Sequence, residues 1–127
     1  LIVLDSWALL AYMKDEPAAE RIQSEWMARG AAISSVNLGE ILYLRIRGDG
    51  EEQAGGEVEE VRSLLTVVDP DWPAVATAAT IKASGGLAYA DAFCMSAGLQ
   101  LGAPIWTGDP EIIERAEEYD CPVVDLR

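Results

Sequence analysis

Short apolar runs separated by longer amphipathic stretches divide this chain into alternating strands and helices. Leu1-Ile2-Val3-Leu4 is continuously apolar, the mark of a strand buried on both faces. Ser6 is the expected cap of a short helix through Met13, and a second helix follows Asp15-Glu16 with Pro17 in its first turn. In that helix Ala18, Ile22 and Trp26 keep four-residue spacing on one face. Ala31-Ala32-Ile33-Ser34 predicts a weak second strand. Ser35 is placed to cap a helix running to about Ile46, which Gly48-Asp49-Gly50 stops. Glu51 to Leu65 reads as an acidic amphipathic helix with Val58, Val61 and Leu65 facing inward, and Gly55-Gly56 weakens its first half. Thr66-Val67-Val68 is a strand, and Asp71-Trp72-Pro73 starts the next helix. Ser84-Gly85-Gly86 breaks that helix before Tyr89, after which Ala90, Phe93, Cys94, Ala97 and Leu101 mark one apolar face. Ile105-Trp106, a helix from Pro110 to Tyr119, and the strand Val123-Val124 close the pattern. Strands alternating with helices predict an α/β fold, a three-layer α/β/α sandwich with a central parallel sheet of about five strands. Residues 1–127 are expected to form one domain.

Four carboxylates stand where this pattern breaks or turns. Asp5 ends the first apolar run, Asp109 follows Ile105-Trp106 across Thr107-Gly108, and Glu40 and Asp91 lie within predicted helices. In open α/β sheets ligands bind outside the carboxyl ends of the strands, which brings Asp5 and Asp109 to that crevice by topology alone. Each acid also has a purely structural reading. Asp5 and Asp109 suit helix N-caps, Asp91 suits the positive end of a helix dipole, and Glu40 suits an exposed helix face. Jointly they suggest a charge cluster. Two carboxylates about 4 Å apart repel by roughly 4 kcal/mol at an effective dielectric near 20, so such a group raises its pKa values or binds a cation. Mg²⁺ and Mn²⁺ are hard ions that take carboxylate oxygens.

Composition narrows the chemistry further. The chain contains no histidine, which removes histidine as a base or zinc ligand. No G-x-S-x-G, Walker A loop or strand-following G-x-G-x-x-G occurs. Half the residues are apolar, yet no run approaches the roughly 20 needed to span a bilayer. No basic segment precedes the first strand, so no signal peptide is expected, while an initiator methionine is expected ahead of Leu1. Two cysteines, Cys94 and Cys121, make neither a disulfide framework nor a zinc site, and a reducing cytoplasm is the simplest home. The net charge of −13 argues against non-specific attraction to nucleic acid. A bound cation reverses the local field, so an RNA substrate stays open. Metal-assisted phosphodiester hydrolysis is the reading that fits best.

Leu4-Asp5-Ser6-Trp7-Ala8-Leu9-Leu10-Ala11-Tyr12 with Glu16-Pro17 resembles the opening of PIN-domain ribonucleases, particularly VapC-type toxins. Ser34-Ser35-Val36-Asn37-Leu38-Gly39-Glu40 resembles the family's second motif, Tyr89-Ala90-Asp91-Ala92-Phe93 its third, and Thr107-Gly108-Asp109 its fourth. The four motifs stand in the family's order and cover nearly the whole chain. The resemblance implies a Mg²⁺- or Mn²⁺-dependent endoribonuclease, an antitoxin partner and a homodimer. It implies Asp5, Asp91 and Asp109 as metal ligands, with Glu40 binding metal through water or positioning the attacking water. Asn37 and Thr107 are candidates to support those ligands. Arg47, two turns from Glu40 on the same helix side, is a candidate for RNA phosphate against its reading as a solvated arginine. Gly48 to Glu60 carries no motif.

Two rival functions bear on the same residues. A receiver-like phosphoacceptor domain also gathers acids at strand ends, but it requires paired acids after the first strand and a late lysine. Asp5 has no acidic neighbour, and no lysine follows Lys82. A PIN-like module that binds RNA or protein without cutting is the second rival, and the presence of all four acids counts against it. An acidic pocket on an acidic chain also suits a small basic inhibitor, with an apolar helix face in a groove and an Arg or Lys inserted among the acids.

Overall fold

Period-2 alternation along the strands separates two hydrophobic layers. A computed structural model describes residues 1–127. Its strands are β1 (Ile2–Leu4), β2 (Ala31–Ser34), β3 (Thr66–Val68), β4 (Ile105–Thr107) and β5 (Val123–Asp125). They form one sheet in the order β3-β2-β1-β4-β5 with every pairing parallel. The helices are α1 (Ser6–Met13), α2 (Ala19–Arg29), α3 (Ser35–Asp49), α4 (Glu51–Arg62), α5 (Trp72–Ala83), α6 (Tyr89–Leu101) and α7 (Pro110–Ala116), the last continuing as a 3₁₀ turn over Glu117–Tyr119.

Ile2, Leu4 and Trp106 point to the layer containing Leu9, Ile22, Ile41, Val58 and Val61. Val3 and Ile105, one residue out of phase, point to the layer of Ile81, Phe93, Met95 and Ile112. The sheet is thus covered on both faces, as the alternating pattern predicts. The order reverses direction at β1, with β2 on one side and β4 on the other. Leu4 stands beside Trp106 in register, so the ends of β1 and β4 open together.

Several element ends differ from the sequence expectation. Asp5, rather than Ser6, caps α1: its backbone is extended (φ −89°, ψ 178°) and its carboxylate accepts from the Ala8 N–H. Ser6 is already helical, and its hydroxyl donates to the Asn37 carbonyl. Ser34, rather than Ser35, caps α3 by accepting from the Val36 N–H at 3.3 Å. Pro17 lies in the turn before α2, which begins at Ala19. α3 runs past Ile46 to Asp49 and stops at Gly50, whose φ of 87° suits glycine. Gly55 and Gly56 sit inside α4 despite their weak propensity, because Ala54, Val58 and Val61 anchor that helix on the core. α6 is buried on all sides from Ala92 to Gly98, so its exposure is set by its ends; Leu101, expected on the apolar face, is exposed. No helix is long and apolar enough to cross a membrane.

Candidate metal centre

Both capping acids serve two roles at once, because a carboxylate has two oxygens. Asp5 follows β1 and is almost wholly buried. Its Oδ1 accepts from the Ala8 N–H at 2.8 Å, and its Oδ2 accepts from the Thr107 hydroxyl. Thr107, at the end of β4, in turn accepts from the Asp109 N–H at 2.9 Å. A single threonine therefore joins the acid after β1 to the acid after β4. Asp109 caps α7 by accepting from the Glu111 N–H at 2.9 Å through Oδ1, with Pro110 preset for the first helical position. Between these acids, Gly108 lies directly against the Trp7 ring, where a Cβ has no room.

Asp91 enters from the first turn of α6. Asn37 holds that turn: fully buried on α3, its Nδ2 donates to the Ala90 carbonyl at 2.9 Å. The other atom of the amide, Oδ1, is buried and without a partner. Glu40 lies one turn further along α3, half-buried, and its charge reaches Asp91. Arg47 is exposed and belongs to none of the ion pairs.

These acids form a graded cluster. Carboxylate oxygens of Asp91, Asp109 and Glu111 lie within 4.8 Å of one another. Asp5 and Glu40 stand outside that trio but close enough to act on it by charge. Burial, opposed by the bonds from Thr107 and Ala8, pushes Asp5 up to about 7, with Asp109 and Asp91 adding repulsion. Burial first, then the charges of Asp109 and Glu40, raise Asp91 to about 6. The charges that perturb Asp5 and Asp91 are all carboxylates. Glu111 escapes sequence reasoning because an acid in the first turn of a helix has an ordinary dipole explanation. Its one signal is position, two residues after Asp109 at the same crevice.

The donor set fits a hard divalent cation. It offers carboxylate oxygens with no soft ligand, an uncompensated local negative charge, and an orphaned buried acceptor on Asn37 beside the residues that precede Asp91.

Residues 2–118 match the family model described as the PIN domain. The chain belongs to the PIN-domain family. A search of curated proteins found no match. Solved structures repeat this PIN fold at low identity. The DNA-bound VapBC structure from Salmonella typhimurium is 20% identical with a TM-score of 0.80, covering 99% of this chain and 98% of that one. FitAcB from Neisseria gonorrhoeae is 17% identical with a TM-score of 0.77, covering 99% and 98%. Mycobacterium tuberculosis VapC20, a sarcin–ricin loop cleaving toxin, is 15% identical with a TM-score of 0.69, covering 90% and 94%.

Proposed function

We propose that this PIN domain is a Mg²⁺- or Mn²⁺-dependent endoribonuclease, the toxin of a VapBC-type toxin–antitoxin pair. The observation that carries the reading is the carboxylate group at the carboxyl edge of a parallel PIN sheet, with Asp91, Asp109 and Glu111 oxygens within 4.8 Å and Asp5 bonded in through Thr107. Asp5, Asp91 and Asp109 hold the ion. The ion supplies Lewis-acid charge at the phosphate and a more acidic water. Glu40 positions that water or meets the ion through it. Thr107 fixes Asp5 against Asp109, and Asn37 fixes the turn that carries Asp91. Arg47, exposed and unpaired, is the residue offered to RNA phosphate.

The similar VapBC structures support an antitoxin partner, and the charge of −13 supports a small basic one that inserts an Arg or Lys among the acids. A groove of about 330 Å³ between α1, α3 and α4, lined by Tyr12, Met13, Val61 and Leu64, suits its apolar face, with Glu60 left for a basic side chain and Glu57 already paired with Arg45. We read residues 1–127 as one domain that works as a homodimer in the cytoplasm.

The test is RNA cleavage with chelator, Mg²⁺ or Mn²⁺. Cleavage should require an ion, and Asp91→Asn should lower it by roughly a hundredfold or more with the circular dichroism spectrum unchanged. Folded parent protein that cuts no RNA with either ion overturns the reading in favour of a binding module.

A further inference from the structure

Trp7 stands two residues after Asp5, in the first turn of α1, and its ring reaches across to the turn that carries Asp109. Gly108 lies in that turn, between Thr107, which bonds Asp5, and Asp109. A Cβ on Gly108 would stand 2.4 Å from Trp7 Cζ2, 2.5 Å from Cε2 and 2.6 Å from Cη2. Near-equal distances to three consecutive atoms put the face of the six-membered ring on the glycine backbone. Cε2 is bonded to Nε1, so the indole N–H lies beside the same turn. The ring is half-buried and packs against the layer of Leu9 and Ile22, which fixes its place. Its N–H meets no acceptor in the protein and is not one of the buried polar atoms without a partner, so it is open to solvent. The Trp26 N–H, by contrast, donates to the Leu64 carbonyl at 3.2 Å.

We propose that Trp7 is a substrate-contacting residue, whose indole N–H donates to a phosphate or ribose oxygen of the RNA strand beside the carboxylates. The proposal rests on the nuclease reading above and extends it to a motif residue that is not an acid. Indole nitrogen is a donor only, so its partner must be an acceptor such as a backbone oxygen of the strand. It is also uncharged. A Lys or Arg in this place would close onto Asp5 or Asp109 and compete with the ion, whereas a neutral donor coexists with it. The contact positions the strand without reading its sequence.

The experiment is binding of a labelled random-sequence pool of single-stranded oligoribonucleotides in Mg²⁺, followed by fluorescence anisotropy. All the full-length chains carry Glu40→Gln, so that the RNA persists. Adding Trp7→Phe should weaken RNA binding about tenfold, the scale of a lost hydrogen bond to a charged group. Trp7→Tyr, which returns a donor to the same ring, should recover binding to within about threefold. Trp72→Phe, at the exposed start of α5, should change it by no more than about twofold. Mn²⁺ affinity by calorimetry without RNA should be the same in every variant, because Trp7 meets the strand and not the ion. Equal RNA binding with and without Trp7→Phe overturns the contact and leaves the nuclease reading in place. So does an equal loss in Trp7→Phe and Trp7→Tyr, or a fall in Mn²⁺ affinity as large as the fall in RNA binding, since either makes Trp7 only a brace for Gly108. The expected losses of RNA binding, together with a parent chain that cuts no RNA with either ion, have the opposite meaning: the contact stands and the nuclease reading falls.

Discussion

A buried carboxyl whose pKa has risen makes the ion-free protein sensitive to pH in an unusual direction. Unfolded, Asp5 titrates near 3.8; folded, burial holds it near 7. The folded state thus binds this proton more tightly, so the stability it confers is full below about pH 4 and is lost as pH rises toward 7. A shift of that size corresponds to up to about 4 kcal/mol. Urea unfolding in chelator at about pH 4.5 and 7.5 should show Asp5→Asn gaining on the parent by on the order of 2–4 kcal/mol across that range. An unchanged difference would mean that Asp5 carries no burial penalty. At this scale the sequence was informative where a residue type has few explanations. Asp5 and Asp109 stood out because each interrupts an apolar run, and each proves to be a helix cap and a cluster acid at once. Glu111 was invisible because local chemistry already explains an acid at that position.

Element boundaries were legible to within a few residues, and the misses share a cause. Ser6 and Ser35 are as good at capping as their neighbours Asp5 and Ser34, so local propensity gave no choice between them. The ends of β1 and β2 decide which residue stays extended. α4 was doubtful for its two glycines and forms because its other face is buried. This yields a prediction. Gly55 and Gly56 have open space where a Cβ would stand, and neither has positive φ. Gly55→Ala and Gly56→Ala should each stabilise the protein by about 0.5–1 kcal/mol in urea unfolding. A loss of stability in both would place α4 under a constraint that its backbone does not display. Gly98 marks the opposite case, since a Cβ there would come within 2.8 Å of Ile105. Nothing in the sequence separates these glycines, because the difference lies in what the fold brings against them.

For the whole molecule, 22 acids against nine basic residues make a cation the natural counterweight. On the proposed metal-site reading, Mg²⁺ or Mn²⁺ binds only the assembled site, so an ion at 100 times its dissociation constant should add about 2.7 kcal/mol, a rise of roughly 10 °C in melting midpoint. Chelator should abolish the rise and Asp91→Asn should blunt it. Equal midpoints with and without ion, under conditions where RNA is cut, would separate activity from this centre. The sheet order was not readable from one sequence, yet it determines when the centre comes into being. Thr107 closes onto Asp5 across 102 residues, and β1 has no neighbour on that side until β4 arrives. A chain still emerging from the ribosome, with its first hundred residues folded as far as they can be, holds Asp5, Glu40 and Asp91 but no Asp109 to meet them. The carboxylate group is therefore completed only once β4 has been made, and a chain cut short before Thr107 lacks both the hydroxyl and the acid that close it.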